Sequence, residues 1–488
     1  MNHKTRFSLV ISSSLVLLLV VACGAPQAAP ASTPTPPTAA PSPVPTTEAG
    51  TPVVIDTDMG IDDVMAILYM LQRPDVEVKA ITVAGDGLVR CDAGTRHALG
   101  LVAIAGAKNI PIACGRDKPL QGDHTFPRGW RDGADNLGGI AWLEGGAVSS
   151  QSAVDLIKST IKSSPKKVAL LTLGPLTNVA EALQADPKLI DNVQMITIMG
   201  GAVDVPGNVT GVPLSAPNRT AEFNIFVDPH AANIVFKSGA PISLVPLDAT
   251  NHAPLAKYFY RALKDQHATP AGTVVFDLLK ANSYVFQPGT YYWWDPVAAV
   301  ISTDDSIGKF ETKRLSVIEA EGEESGRTKV VDGGTNIRVV MSVDAPRFEE
   351  VFLSTLNGGK AVTIDRTQPT PGTAAKMSVA IEGDKCTYSG PKNIATGQIA
   401  IDWNVDNAHG KYALVVATLD KDKTFADLDA WPSTDQPPWL QIVTYVEATS
   451  GSHSTVTADV EDGPIYIVCF TAPPEEKMGT LGPIEVGP

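Results

Sequence analysis

From Val53 onward, short apolar runs alternate with stretches whose apolar residues recur at helical spacing, and no other feature constrains the fold as tightly. Residues 53–55 lead into an expected helix at about 62–71; 78–84 read as a strand, followed by a helix at about 94–105. The pairs 168–173 with 178–184, and 194–199 with 229–237, repeat the pattern. Strands that alternate with helices imply a mostly parallel sheet with helices on both faces, an α/β class. In such a sheet ligands bind beyond the carboxyl ends of the strands. The residues that look out of place in a core lie at those ends: Asp56 and Asp58, Asp86, Gly174, and Met199-Gly200-Gly201.

Asp56, Asp58, Asp62 and Asp63 put four carboxylates into eight residues, between a strand and a helix that both read as buried. Carboxylates so close repel one another and need water or a cation. Oxygen donors without a neighbouring His/Cys cluster select a hard ion, Ca²⁺ or Mg²⁺, over zinc. Gly60 is expected to permit the tight turn that folds Asp58 and Asp63 toward one point. Asp62 and Asp63 sit where a helix N-terminus favours negative charge. A helix cap with solvated turn residues accounts for one Asp, not for four.

A chain of 488 residues exceeds one ordinary domain. Its net charge of −15 excludes sequence-independent nucleic-acid binding, which needs a dense Lys/Arg footprint. Lys4 and Arg6 precede an apolar run at 9–22 that is too short to span a bilayer comfortably. Val20-Val21-Ala22-Cys23 resembles a bacterial lipobox, so residues 1–22 are expected to be a lipoprotein signal peptide and Cys23 the lipidated residue. Residues 23–52, rich in Pro, Ala and Thr, form a tether that cannot bury enough apolar area to fold. The expectation is an exported protein, anchored to the outer face of the bacterial cell membrane through its N-terminal lipid alone. Disulfides persist outside the cytoplasm. The remaining cysteines invite the pairs Cys91–Cys114 and Cys386–Cys469; free buried thiols are the alternative for the first.

Residues 360–376 lapse into Thr, Pro and Gly, a linker. Beyond it, 377–381, 398–403, 413–417, 440–444 and 465–470 read as strands with no intervening helix, so 377–488 is expected to be a small all-β sandwich. It loosely resembles a cupredoxin or immunoglobulin-like module. No metal is expected there, because no His follows Cys469 to build a copper site.

At its acidic cluster the chain resembles the inosine-uridine preferring nucleoside hydrolases, whose hallmark is DxDxGxDD, here Asp56 to Asp63. Further matches follow in the family's order: Gly174-Pro175-Leu176-Thr177-Asn178, Met199-Gly200-Gly201, Ala221-Glu222-Phe223-Asn224 with Asp228-Pro229, and Asp295-Pro296. The resemblance implies a nucleoside hydrolase-like domain over 53–359. It would hydrolyse the N-glycosidic bond of ribonucleosides, or related N-ribosides, to ribose and free base in purine or pyrimidine salvage. Homo-oligomerisation is left open.

The resemblance also implies roles. Asp58, Asp63 and Asp295 would hold Ca²⁺ with the backbone carbonyl of Leu173, and Asp58 would take a proton from a metal-bound water. Asp62 and Asn224 would hold ribose hydroxyls, while Glu222 and Asn208 would meet the 5′ side. Asp86 stands where the family commonly has Asn and would still accept from a sugar hydroxyl. Residues 210–219 are an insertion, so Asn218 competes with Asn208 for its role.

Trp294, preceded by Trp293, replaces the His that many members place before the late Asp. Trp294 either stacks on the leaving base or packs as a rim or core aromatic. His124 and His252 are the remaining candidate proton donors. A riboside-binding lipoprotein without turnover is the alternative that Trp294 and Asp86 motivate, opposed by the complete acidic set. A phosphatase of haloacid-dehalogenase type also places DxD after a first strand, but needs Thr or Val where Gly60 stands. Every matched motif precedes residue 360, so the chemistry is expected to need only the first domain.

Overall fold

In a computed structural model the alternating runs assemble into one sheet, nine-stranded among the described residues. The structure describes residues 50–487 except 141, 143–144, 213, 215–216, 287–288, 368–375, 384, 407–409, 420–422, 425, 428–429, 431–438, 462 and 473–476. The expected signal peptide, Cys23 and all but the end of the tether lie outside the described residues. Among those described, no helix is long and apolar enough to cross a membrane.

The strands are β1 (Thr51–Thr57), β2 (Val76–Val83), β3 (Ile112–Cys114), β4 (Val168–Thr172), β5 (Val193–Met199), β6 (Ile242–Val245), β7 (Gly308–Val317), β8 (Thr328–Val330) and β9 (Thr335–Val343). Their order is β3-β2-β1-β4-β5-β6-β9-β7-β8. Pairing is parallel from β3 through β9, then antiparallel for β9–β7 and β7–β8. The antiparallel edge was not expected. Its strands follow one another directly, which permits hairpins, and β7 is half exposed, so its apolar run is broken by charge.

Successive β1 residues face opposite layers. Val53 and Ile55 pack with the Ile61–Gln72 helix, whereas Val54 packs with Leu170, Ile196 and Val179 on the other face. That helix is buried from Ile61 to Met70, as expected for one apolar all round. The chain leaves β1 for β2 on one side and returns to β4 on the other. The order therefore reverses at β1, and Asp56 pairs in register with Thr82 on β2 and Thr172 on β4. A crevice opens at such a switch point, beyond the strand ends.

The second region is a sandwich built from β10 (Met377–Glu382), β11 (Lys385–Ser389), β12 (Asn393–Ala395), β13 (Gly397–Asp406), β14 (Lys411–Leu419), β15 (Leu440–Thr449), β16 (Ser452–Val460), β17 (Gly463–Ala472) and β18 (Lys477–Gly487). One sheet runs β11-β10-β13-β16 and the other β12-β18-β17-β14-β15. Trp403, Ile401, Val416 and Ile467 fill the space between them. Four strands escape the sequence pattern: β11 and β16 are mostly polar, β16 opening Ser452-His453-Ser454, β12 is only three residues long, and glycines and a proline interrupt β18. Cys386 stands bonded to Cys469 across the two sheets, and Cys91 to Cys114 at the start of the helix that follows β2.

Candidate active site

β1 ends at Thr57, and the chain enters the Ile61–Gln72 helix within three residues. The turn falls on Met59, whose φ of 61° is left-handed, a conformation that costs a side-chain-bearing residue about 1–3 kcal/mol. Gly60 has an ordinary φ of −65°. The expectation that Gly60 supplies the turn is thus corrected: glycine is needed there for room. A Cβ would stand 3.1 Å from an Asp62 oxygen and 3.2 Å from an Asp63 oxygen.

Asp63 holds the turn together. Its Oδ2 accepts from Gly60 N–H at 2.9 Å, and its Oδ1 from Asp58 N–H at 3.2 Å and from the Thr57 hydroxyl. The Thr57 oxygen accepts in turn from Met59 N–H at 3.0 Å. Asp58 is gripped by the loops after β2 and β4. Its Oδ2 accepts from Leu88 N–H at 2.9 Å. A Cβ on Gly87 or Gly174 would lie 2.2 or 2.8 Å from the Cβ of Asp58, so only glycines fit beside it.

The Trp294–Thr303 helix brings Asp295 from far along the chain. Asp62, Asp63 and Asp295 each present a carboxylate oxygen within 4.8 Å of the others. Burial first, and the Asp63 carboxylate second, push Asp58 and Asp295 well above the usual range and Asp62 up to about 7. Buried carboxylates that hold one another protonated, with only oxygen donors around them, match the requirements of a hard divalent cation. Asp56 stands apart: its Oδ1 accepts from Asn178 and Thr82, tying β1 to its neighbours.

The remaining expected residues surround this cluster. Glu222 caps the Phe223–Val227 helix, accepting from Asn224 N–H at 2.8 Å and from Gly201 N–H at 2.9 Å; burial nonetheless keeps it at about 6. Asn224 donates to the carbonyls of Leu173 (3.0 Å) and Met199 (3.2 Å). The 210–219 insertion is pinched at its base by Gly207 N–H to Arg219 O and Asn208 N–H to Ala221 O. Asn208 thereby stays beside Glu222, and its Oδ1 accepts from Phe223 N–H at 3.1 Å. Asn218 is used up within the chain, donating to Ser325 O and accepting from Thr220 and Ala221.

Trp293 is a core residue packed on Phe259, Phe348 and Phe352. Trp294 is half-buried beside Tyr291 and Tyr292, outside that core cluster of rings. His124 spends both ring nitrogens on Phe226 O and Glu321, and His252 is exposed in a turn. Sequence reading missed Tyr291, which donates to Asp62 Oδ1 at 2.8 Å. The signal was available: Tyr291-Tyr292-Trp293-Trp294 runs straight into Asp295.

Asp86 sits in a network one hydrogen short. Thr177 Oγ1 lies 2.6 Å from Asp86 Oδ2 and 2.9 Å from Asp228 Oδ2, yet a hydroxyl carries one proton. Asp228 already accepts from Leu120 and Ala231 N–H. Asp86 Oδ1 is buried without a partner, and burial, then the Asp228 charge, raises this carboxyl to about 7.

A family model described as inosine-uridine preferring nucleoside hydrolase matches residues 53–350. The chain is 37% identical over 235 residues to the pyrimidine-specific ribonucleoside hydrolase RihA of Citrobacter koseri, covering 47% of this chain and 70% of that one. It is 33% identical over 289 residues to uridine nucleosidase 1 of Arabidopsis thaliana, covering 58% and 82%. A solved plant nucleoside hydrolase, PpNRh1, superposes with a TM-score of 0.57 at 29% identity, over 63% of this chain and 99% of the other.

The Asp86 network makes a prediction about pH. A carboxyl raised from 3.8 to about 7 keeps its proton in the folded chain while the unfolded chain loses it. Stability contributed here therefore falls as pH rises through that window. An amide would supply the missing hydrogen at every pH. Without added metal, Asp86→Asn is expected to raise unfolding free energy at pH 8 on the order of 2–4 kcal/mol, and to change it little at pH 4. Equal shifts in the urea midpoint at both pH values would refute this account.

Proposed function

Given that the chain belongs to the inosine-uridine preferring nucleoside hydrolase family, and is therefore an enzyme acting on N-glycosyl compounds, we propose that it hydrolyses ribonucleosides to ribose and free base, with Ca²⁺ as its cofactor and Asp58 as general base. The observation that carries this reading is the buried acidic cluster, with Asp58 fixed beside it by Leu88 and two glycines.

Asp58, Asp63 and Asp295 would hold the cation, with the Leu173 carbonyl, whose second lone pair is free while Asn224 donates to the first. When bound, Ca²⁺ supplies Lewis acidity and a template for sugar hydroxyls and water. Asp58 takes a proton from the attacking water. Asp62 and Asn224 orient the ribose hydroxyls, Asp86 accepts from the sugar, and Asn208 with Glu222 meets the 5′ side. Positive charge that develops on the sugar faces carboxylates already in place, which stabilises an oxocarbenium-like transition state. Trp294, beside Tyr291, offers a face on which the leaving base stacks.

We further propose that residues 1–22 are removed, Cys23 is lipidated and 23–52 tether the enzyme to the outer face of the membrane. The paired cysteines favour such an oxidising location.

Turnover of inosine or uridine is expected to vanish on exhaustive chelation and return with Ca²⁺. Full turnover with no divalent metal detectable by elemental analysis would sink the cofactor assignment. Asp58→Asn should lose about 10²–10⁴ in kcat with an unchanged circular dichroism spectrum. A variant that keeps more than about a tenth of wild-type kcat would remove Asp58 as the base. Trp294→Ala should weaken inosine binding by roughly 1–3 kcal/mol and leave free ribose unaffected. A lower melting temperature with both affinities intact would make Trp294 a packing residue instead.

A further inference from the structure

We infer that the C-terminal β-sandwich is a positioning part of the substrate site, because it grips segments on either side of the contact by which Tyr291 reaches Asp62. The inference rests on the hydrolase reading for its consequence, though not for its geometry.

The first grip is electrostatic. Lys257, Arg261 and Lys264 fall at i, i+4 and i+7 of the Lys257–Asp265 helix, one basic face. The end of β16 and the residue after it meet that face with Asp459 and Glu461. Lys257 Nζ donates to the Asp459 carbonyl at 2.8 Å, and Lys264 pairs with Glu461 at 3.2 Å. Arg261 donates to the carbonyl of Thr367, in the linker. Lys257 is half-buried there, and burial lowers its pKa against the pull of Glu461 and Asp459.

The second grip covers an edge. β15 is the last strand of its sheet, so one side of its backbone has no strand partner. Its Ile442 carbonyl accepts from the Ser283 hydroxyl at 3.0 Å. Ser283 opens the short Ser283–Phe286 turn, and the next residue is Tyr284.

Both grips bear on segments that neighbour Tyr291. Tyr291 donates to Asp62, while its own carbonyl accepts from Leu255 N–H at 3.0 Å, two residues before Lys257. Pro254 and Tyr292 form an isolated bridge alongside. Tyr291 thus depends on short, irregular segments that the sandwich touches at Ser283 and beside Lys257. This runs against the expectation that the chemistry needs only the first domain.

The test is amide hydrogen exchange and steady-state kinetics on the full chain. Lys257→Glu sets a half-buried carboxylate against Asp459 and Glu461. Peptides spanning 282–294 should then exchange about tenfold faster, while those of β1 and β4 do not change. KM for inosine or uridine should rise about fivefold, with kcat within about twofold. Glu461→Lys should do the same more weakly, and Lys264→Glu added to it should restore both readouts, which keeps the test decisive if Lys257→Glu does not fold. Unchanged exchange at 282–294 in both variants overturns the brace, whatever the activity. Faster exchange with an unchanged KM overturns its role in the site. A wild-type chain that hydrolyses no ribonucleoside overturns the proposed function instead, and exchange alone then decides the brace.

Discussion

Four carboxylates, Asp58, Asp62, Asp63 and Asp295, stand buried at the carboxyl end of one strand, where each raises the cost of charge on the others. Charges in a low-dielectric interior repel strongly, so the cluster persists only neutralised by protons or by a cation. That single constraint explains much of its surroundings. Oxygen donors are placed around it, and the cations among the described ion pairs lie elsewhere. Two glycines are required beside Asp58 because any Cβ would enter its space. The left-handed Met59 is tolerated because Thr57 and Asp63 hold the turn from both ends.

Polar satisfaction extends outward in shells of decreasing completeness. Asp63 is saturated by backbone and hydroxyl donors, and Glu222 is nearly so. Asp62 has the Tyr291 hydroxyl, a donor that a sugar hydroxyl can replace. Asp86 keeps a bare buried oxygen and shares one hydroxyl with Asp228.

The two regions of the chain divide this work. The parallel sheet aims the carboxylates, while the sandwich bears on a helix and a turn that neighbour Tyr291. Its own core, around Trp403, contributes nothing to the acidic cluster directly. Its disulfide joins β11 to β17, which stiffens the platform behind the gripping strands.

What the sequence determined by itself was everything that short-range pattern encodes. Apolar periodicity placed β1, β2, β4 and β5 and a helix after each, though not β3, and Asp58, Asp62 and Asp63 were legible because four carboxylates in eight residues have no packing explanation. Strands β11 and β16 were illegible because they are polar and largely exposed, β12 because it is three residues long, and β18 because glycine and proline break its run. Only the tertiary structure separated Trp293, in the core, from the half-buried Trp294, and Asn208, bonded to Phe223, from Asn218, bonded to Ser325. Neighbouring residues of one type differ solely in what packs against them. It alone showed that Gly60 is glycine for space and not for φ, and that Tyr291 reaches Asp62 across 229 residues of chain. Contacts of that separation leave no periodicity in a sequence, because they are set by how the layers pack and not by the local preferences of the chain.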